Sequence, residues 1–323
     1  MSALSNEIAE LRLNERQWEA FRTEGHCAVL APPGSGKTKL LTTKLAYSLS
    51  SGLIAPPRGA ACITMTNEAA LQLRQRLRQL GVRRTPNLFV GTVHSFALSQ
   101  IIGPFAAAAG RDDLARSRPA TPEEEDKAFE AAFAAMDFRP HERAEIKATT
   151  ERARQRLDLS GNRLLGGEPV AKMAHRLQEE LEARHIFDPQ DLVRHAVELV
   201  EDTAWVGKVL SDTFSYVFVD EYQDLAPGLD RIVRGTTLRA DTDSMLFAVG
   251  DPDQSIYAFT GASHELLQEL AAEPGVTEVR LERNYRCGQR IIDISLRALG
   301  QDREIEGNHD GGDVFVHEAG GGV

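Results

Sequence analysis

The residues with the most recognisable chemistry lie in the sequence APPGSGKTK, between an apolar run ending at Leu30 and an amphipathic helix predicted to begin near Lys37. A strand, a glycine loop, Gly-Lys-Thr and a helix form the pattern of a phosphate-binding loop. Gly34 and Gly36 permit backbone conformations that a side chain would block, and the helix N-terminus favours an anion. Lys37 would reach the β- and γ-phosphates of a nucleotide, and the Thr38 hydroxyl would hold Mg²⁺. The candidate phosphate-binding residues are Ala31, Pro32, Pro33, Gly34, Ser35, Gly36, Lys37, Thr38 and Lys39.

Two adjacent acids follow a second apolar run, from Tyr216 to Val219. Asp220 and Glu221 would stand at the carboxyl end of a buried strand. There one carboxylate can hold the Mg²⁺ shell, and the next can orient and deprotonate an attacking water. The alternative is a pair of solvated turn residues, but a purely apolar strand leading directly into Asp-Glu favours the catalytic pair.

Further polar and aromatic residues follow other predicted strands. Gln254 comes shortly after a strand and could sense a γ-phosphate, while Arg286 could neutralise charge that develops in phosphoryl transfer. Tyr257 and Phe259 could stack on bases, a contact of roughly 1–3 kcal/mol per base. Either aromatic residue could equally belong to the core.

Polar residues near the N-terminus and after two more strands have open roles. Asn14 is placed to cap a helix, and the planar amide of Gln17 suits an adenine edge, although a lone Gln is more often a surface residue. The residues after the other two strands could contact a ligand beyond the sheet or simply cap helices. They are Thr66, Asn67, Thr92, His94 and Ser95.

The order of the predicted elements indicates an α/β fold. Short apolar strands alternate with helices, which is typical of a parallel sheet with helices on both faces. Residues 103–196 differ, because they are rich in Ala, Glu and Arg and carry apolar residues such as Phe129 and Phe133 at helical spacing. We therefore predict a mostly helical insertion that interrupts the sheet domain.

Composition sets broad limits on the class of protein. With 323 residues, 42% apolar and 26% charged, the chain is typical of an ordinary globular protein of about two domains. No apolar run is long enough to span a membrane, and the N-terminus does not read as a signal peptide. Three scattered cysteines suggest buried thiols in a reducing, cytoplasmic setting. The net charge of −11 argues against a protein that simply coats nucleic acid, but it does not exclude a local basic groove.

Seven motifs occur in an order that resembles the superfamily 1 helicases of the UvrD/Rep/PcrA type. They are LNERQ, APPGSGKT, TMTNEAA, GTVHSF, VFVDEYQD, VGDPDQSIYAFTGA and LERNYRC. The resemblance implies a RecA-like P-loop NTPase sheet. It also implies a discontinuous first lobe (1–102 and 197–276), a helical insertion (103–196) and the beginning of a second lobe (277–323).

The resemblance also implies roles for individual residues. Gln17 would read adenine and Tyr285 would stack on it, while Gln254 and Arg286 would contact the γ-phosphate. Lys37 and Glu221 would be catalytic, with Thr38 and Asp220 on the metal. Residues that would line a track for single-stranded DNA are Thr66, Asn67, Thr92, His94, Ser95, Phe96, Tyr257 and Phe259.

The expected function is that of the amino-terminal portion of an ATP-dependent 3′–5′ DNA helicase or single-strand translocase. Such a motor would use ATP and Mg²⁺ and act on a 3′-tailed duplex, with no membrane partner. We expect weak hydrolysis until a second lobe completes the site. An alternative is a nucleotide-binding module that docks on a separate protein. A GTPase is disfavoured, because no guanine-reading Asn-Lys-x-Asp occurs.

Overall fold

The computed structural model describes residues 2–83, 87–155, 167–239, 241–254, 265–300 and 303–313. The strands of its main sheet are β1 (His26–Leu30), β2 (Gly59–Thr64), β3 (Leu88–Thr92), β6 (Phe214–Val219), β7 (Met245–Gly250) and β8 (Val276–Arg280). A separate two-stranded pair is formed by β4 (Arg118–Pro119) and β5 (Ile186–Phe187). The main sheet has the order β3-β2-β6-β7-β1-β8 and is parallel throughout. The predicted α/β fold is confirmed.

The helices of the described ranges are α1 (Ala3–Leu11), α2 (Glu15–Arg22), α3 (Lys37–Ser50), α4 (Asn67–Gln79), α5 (Val93–Phe96), α6 (Gly103–Phe105), α7 (Asp112–Arg116), α8 (Pro122–Ala134), α9 (Arg143–Gln155), α10 (Gly167–Ala183), α11 (Pro189–Asp202), α12 (Ala204–Thr213), α13 (Pro227–Thr237), α14 (Glu265–Ala271) and α15 (Gln289–Leu299). A π-helical stretch (Ala97–Ile102) joins α5 to α6. As predicted, Asn14 caps α2, because its Oδ1 accepts a hydrogen bond from the Gln17 N–H at 3.0 Å. In the ranges given above, no helix combines the length and apolarity needed to cross a lipid bilayer.

Both faces of the sheet are covered by helices. On β1, Cys27 and Val29 join one apolar core with α1 to α4, whereas Ala28 and Leu30 join another with α11 to α14. This alternation follows from the period of two along a strand. Because helices cover both faces of the inner strands, those strands read as near-continuous apolar runs and could be predicted from the sequence. The edge strand β8 differs, because Thr277, Glu278 and Arg280 are exposed.

The helical insertion has a core of its own. Phe129 on α8 packs with Met173, Leu177 and Leu181 on α10 and with Ile186 on β5. These residues recur every three or four positions along α8 and α10, so each helix presents one apolar face to the other. The prediction of a mostly helical insertion is confirmed in this part of the chain.

Two of the predicted domain boundaries cut through elements of the structure. β8 (Val276–Arg280), which the sequence assigned almost entirely to a second lobe, is hydrogen-bonded to β1 as an edge strand of the same sheet. Ala196 and Val197 lie on either side of the boundary after the insertion, yet both belong to α11 and to one core. β8 and α11 are therefore continuous with the sheet lobe, and the division of the chain into domains stays a prediction.

Candidate functional site

The segments that follow four adjacent strands meet at one edge of the sheet. β6, β7, β1 and β8 are neighbours in that order and run parallel, so their carboxyl ends share an edge. They lead into Asp220 and Glu221, into residues 251–254, into the loop 31–36 and into the turn 284–286 respectively. The fold therefore gathers the candidate phosphate-binding residues where parallel sheets hold their ligands.

The loop between β1 and α3 requires glycine at two positions. Gly34 and Gly36 have φ angles of 73° and 85°, in the left-handed region that a β-carbon disfavours. At Gly34 space is also limiting, because an added β-carbon would lie 2.6 Å from Oδ1 of Asn284 and 2.7 Å from Cβ of Arg286. The loop is thus packed directly against the turn that follows β8.

Lys37 is the first residue of α3 and is 92% buried, with 8% of its surface exposed. Its Nζ donates to the carbonyl oxygen of Ala31 at 3.2 Å and lies 3.9 Å from Oε2 of Glu221. The ammonium group is therefore held between the loop and the acids after β6. From there it can exchange a protein oxygen for a phosphate oxygen.

Thr38 and Asp220 form a pair of hard oxygen donors. The Thr38 hydroxyl donates to Oδ2 of Asp220 at 3.2 Å, while Oδ1 of Asp220 is buried without a hydrogen-bond partner. Burial, and next the negative charge of Glu221, raise the pKa of Asp220 to about 6. A hydroxyl beside a carboxylate with a spare oxygen fits the ligand preference of Mg²⁺.

Glu221 adopts a left-handed backbone with φ of 53°, which is uncommon for a residue with a β-carbon. Its Oε2 accepts a hydrogen bond from Nε2 of Gln223 at 3.0 Å. A third acid, Asp224, also has a buried oxygen without a partner, and burial followed by the charge of Glu221 raises its pKa to about 6. The sequence reasoning gave Asp224 no role, although three acids within five residues after one apolar strand could have revealed it.

Gln254 is held by an acid at the end of β7. Its Nε2 donates to Oδ2 of Asp251 at 2.5 Å, and Asp251 is fully buried. The backbone N–H of Asp251 donates in turn to Oε1 of Gln223 at 2.9 Å. Gln223 thereby connects the segments after β6 and β7, a connection that the sequence did not indicate.

The turn after β8 is bonded to the phosphate-binding loop through Asn284. Its Nδ2 donates to the carbonyl oxygen of Pro33 at 2.8 Å, and its Oδ1 accepts from the N–H of Arg286 at 2.7 Å. The N–H of Tyr285 donates to the carbonyl oxygen of Gly34 at 2.8 Å. Asn284 had no assigned role in the sequence, yet it positions the backbone of Arg286 beside the loop.

The two residues predicted to contact adenine lie on the same side of this loop. Nε2 of Gln17 donates to the carbonyl oxygen of Ser35 at 2.8 Å. The hydroxyl of Tyr285 accepts a hydrogen bond from Nδ2 of Asn14, on the turn before α2, at 3.0 Å. The guanidinium of Arg283 lies 5.4 Å from the centre of the Tyr285 ring, which is 41% exposed. Binding of adenine by these residues stays a prediction.

Lys39 makes a different contact from Lys37. Its ammonium group forms an ion pair with Glu10 on α1. A neighbouring acid of α1, Glu7, pairs with Arg76 of α4 at 3.2 Å. These contacts attach α1 to α3 and α4, and a role for Lys39 in nucleotide binding stays a prediction.

Two hydroxyl groups among the DNA candidates act as helix caps. Thr66 accepts from the N–H of Ala69 at 3.1 Å at the start of α4, and Thr92 accepts from the N–H of Ser95 at 3.2 Å at the start of α5. The capping alternative is therefore realised for both. Ser95 and Asn67 are exposed at the same edge of the sheet.

His94 and Phe96 differ sharply in exposure. His94 is partly exposed and lines a cavity of about 220 Å³ together with Glu125 of the insertion, and burial lowers the pKa of its imidazole. Phe96 is 1% exposed and packs edge-on against Phe89 at 5.3 Å between ring centres. Its predicted contact with DNA is wrong for this structure, because a base cannot reach a ring inside the core.

Tyr257 and Phe259 lie outside the described residues, so their predicted contacts with bases have no structural counterpart here.

The strand order, the glycine loop after β1 and the acids after β6 define the class of protein: this is a RecA-like lobe of the P-loop type. A family model described as the UvrD/REP helicase N-terminal domain matches residues 13–274. The chain therefore belongs to the UvrD/REP helicase family, as its motifs indicate.

Curated relatives agree with this assignment. ATP-dependent DNA helicase UvrD2 of Mycobacterium tuberculosis (strain H37Rv) is 30% identical over 320 residues, which cover 90% of this chain and 44% of the relative. ATP-dependent DNA helicase Rep of Escherichia coli (strain K12) is 30% identical, with coverage of 87% and 42%. ATP-dependent DNA helicase PcrA of Staphylococcus aureus (strain NCTC 8325) is 26% identical, with coverage of 99% and 44%. The chain spans less than half the length of these relatives.

Proposed function

We propose that this chain is the ATP-binding portion of an ATP-dependent single-strand translocase or 3′–5′ DNA helicase. One observation supports this most strongly. The Lys37 ammonium, the Thr38–Asp220 pair and Glu221 adjoin one glycine loop, and a carboxylate oxygen of Asp220 there has no partner. A buried polar atom without a partner is costly unless a ligand satisfies it.

The roles of the residues follow from their chemistry. Lys37 binds β- and γ-phosphate oxygens, and Thr38 with Asp220 holds Mg²⁺, which neutralises phosphate charge when bound. Glu221 accepts a proton from the attacking water. Gln254 and Arg286 contact the γ-phosphate.

We propose that hydrolysis requires a second lobe. The chain spans less than half the length of its relatives, so their remaining length could contain such a lobe. Electrostatic stabilisation is strongest where water is excluded, and a second lobe packed over the site would exclude it. Closure of two lobes around ATP would then change the grip on single-stranded DNA. The proposed track includes Thr66, Asn67, Thr92, His94 and Ser95 at the sheet edge. Tyr257 and Phe259, outside the described residues, are proposed to stack on bases.

The first test is calorimetric titration of the chain with Mg·ATP. Lys37→Ala should weaken binding by roughly a hundredfold or more, about 3 kcal/mol. The matched control is Lys172→Ala, which removes an exposed lysine paired with Glu168 on α10 and should change nothing. Equal affinity in the wild type and Lys37→Ala would overturn the nucleotide site.

A second test separates binding from hydrolysis. Glu221→Gln should keep the affinity for Mg·ATP while lowering any hydrolysis by about 10²–10⁴-fold, the usual contribution of a general base. Equal loss of both would contradict the assigned role of Glu221.

A third test concerns DNA. Phe259→Ala should lower the affinity for single strands, by roughly 1–3 kcal/mol, more than the affinity for ATP. Unchanged DNA binding would assign Phe259 to the core instead.

Strand displacement on a 3′-tailed duplex tests the requirement for a second lobe. We expect no robust unwinding by this chain alone, and robust unwinding would overturn that requirement. The alternative function, a nucleotide-binding module that docks on a separate protein, predicts a stable stoichiometric complex in size-exclusion chromatography and no DNA-dependent hydrolysis in that complex.

A further inference from the structure

Arg303 reaches from the segment after α15 to the acids that follow β7. Its Nη1 lies 3.2 Å from Oδ1 of Asp251 and also contacts Oδ2 of Asp253. Asp251 is fully buried, and a buried carboxylate without a counter-charge is strongly unfavourable. In the described part of the chain, no other basic side chain forms an ion pair with Asp251.

Asp251 in turn holds the side-chain amide of Gln254. One carboxylate oxygen of Asp251 accepts from Arg303 and from the N–H of Asp253 at 3.1 Å, and the other accepts from Nε2 of Gln254 at 2.5 Å. The carboxylate is therefore fixed on one side by a guanidinium and fixes a side-chain amide on the other. No comparable contact within the described residues holds Nε2 of Gln254 elsewhere.

The segment 303–309 also contacts the opposite side of the site. The N–H of Asn284 donates to the carbonyl oxygen of Glu306 at 2.7 Å. The N–H of Asn308 donates to the carbonyl oxygen of Cys287 at 3.0 Å. Asn284 is itself bonded to the phosphate-binding loop through Pro33. One short segment thus adjoins both the Gln254 side and the Arg286 side.

We propose that Arg303 is a positioning residue for γ-phosphate recognition. By holding Asp251 it fixes the amide of Gln254, so the orientation of Gln254 depends on where the segment 303–309 lies. This inference rests on the proposed function, which gives Gln254 its contact with the γ-phosphate. A displacement of the segment would withdraw Arg303 and release Gln254 without altering the loop that holds the other phosphates.

The test compares two nucleotides on the full chain with Mg²⁺: ADP and the β,γ-imido analogue of ATP. The ratio of their dissociation constants measures the preference for a γ-phosphate. Arg303→Gln should lower this preference roughly tenfold, the effect of losing one hydrogen bond to a charged group, and should leave the affinity for ADP unchanged. Arg303→Lys should retain most of the preference, because it keeps the charge beside Asp251.

A double-mutant cycle shows whether Arg303 acts through Gln254. Gln254→Ala should cause the same loss of preference, and adding Arg303→Gln to it should cause no further loss. Arg280→Gln is the matched control, since Arg280 lines the same cavity as Arg303, is exposed and pairs with Glu278 on β8.

Several outcomes would overturn the inference. They are an unchanged preference in Arg303→Gln, an equal loss of ADP affinity, and a further loss in the Gln254→Ala background. If Arg303→Gln does not fold, Asp251→Asn removes the same ion pair and must give the same selective loss. Nucleotide binding that does not depend on Lys37 would overturn the proposed function and this inference together. Lys37-dependent binding with an unchanged preference overturns this inference alone.

Discussion

Two pairs of buried acids in this chain differ in how their oxygens are satisfied. At the candidate nucleotide site, Asp220 and Asp224 each have a buried oxygen without a hydrogen-bond partner. At the junction of the helical insertion with the sheet lobe, Asp188 and Asp191 both pair with the guanidinium of Arg154. All four residues are Asp, and three of them are buried while Asp224 is half-buried. The clearest difference between the two pairs lies in their partners.

The pair at the junction is satisfied within the chain. Nη2 of Arg154 lies 3.0 Å from Oδ1 of Asp188 and 3.0 Å from Oδ1 of Asp191, and Nη1 contacts the second oxygen of Asp188. Asp188 also caps α11 by accepting from the N–H of Asp191 at 2.9 Å. A planar, forked cation matches two carboxylates well. These acids therefore attach α9 of the insertion to α11 of the lobe.

The pair at the nucleotide site is satisfied only in part. Burial, and then the charge of Glu221, raise the pKa of both Asp220 and Asp224 to about 6. The fold thus holds two acids in surroundings that disfavour their charge. The acids at the junction are therefore structural, whereas a buried carboxylate with a spare oxygen, such as Asp220, can still accept a cation.

Arg154→Met should have the largest effect on stability of the changes that test this comparison. It leaves the buried Asp188 carboxylate without a cation and Asp191 with Arg194 alone, at 3.3 Å. The free energy of unfolding, measured by urea denaturation, should therefore fall by about 3–5 kcal/mol. The affinity of the folded protein for Mg·ATP should not change. Arg152→Met on the same helix is the control, because Arg152 is exposed. A loss below about 1 kcal/mol would show that the junction is not held by this pair.

Asp220→Asn should have the opposite effect on stability and a large effect on binding. Removing a buried charge whose pKa is raised should increase the free energy of unfolding at pH 7 by about 1–3 kcal/mol. The Mg²⁺-dependent affinity for ATP should fall by roughly a hundredfold, about 2.7 kcal/mol. A variant that is less stable and still binds Mg·ATP normally would contradict the distinction between the two pairs.

Local patterns allowed much of the site to be predicted from the sequence. The glycine loop, Lys37 and the acid pair after β6 depend on residues that are adjacent in sequence and on the type of element before them. The structure places these residues at one edge of the sheet, because parallel strands align their carboxyl ends. The cap at Asn14 was predictable for the same reason, since capping is a local interaction.

Contacts between distant segments could not be predicted in this way. Arg154 and Asp188 are 34 residues apart, and Arg303 and Asp251 are 52 apart, with no local pattern joining them. Phe96 was assigned to DNA through the resemblance of GTVHSF to a helicase motif, but the turn into α5 directs its ring into the core. β8 could be recognised as a strand from its own residues. Its pairing with β1 could not be predicted, because it joins segments that are distant in sequence.

The smallest expected effect is the dependence of Mg·ATP binding on pH, which should distinguish Asp220 from the two acids at the junction. If Asp220 holds Mg²⁺ as proposed, the metal and a proton compete for this carboxylate, and burial raises its pKa to about 6. Lowering the pH from 7 to 5 should therefore weaken Mg²⁺-dependent ATP binding roughly tenfold, about 1.4 kcal/mol, and raising it above 7 should change little. Protonation of Asp220 should have the opposite effect on stability: it weakens binding of Mg²⁺ but stabilises the folded protein. The native pKa of Asp220 lies above the ordinary value, so the contribution of this group to stability rises as the pH falls through 6 toward 4.

The nucleotide also titrates in this range, so the control must share that titration. Asp220→Asn binds the same nucleotide without the competing proton, and the difference between the two pH profiles isolates Asp220. Arg154→Met provides a second control, because its junction lies outside the nucleotide site and its profile should match that of the wild type. Identical profiles for the wild type and Asp220→Asn would show that Asp220 does not take up the proton. The spare oxygen of Asp220 would then not be the feature that separates the two pairs.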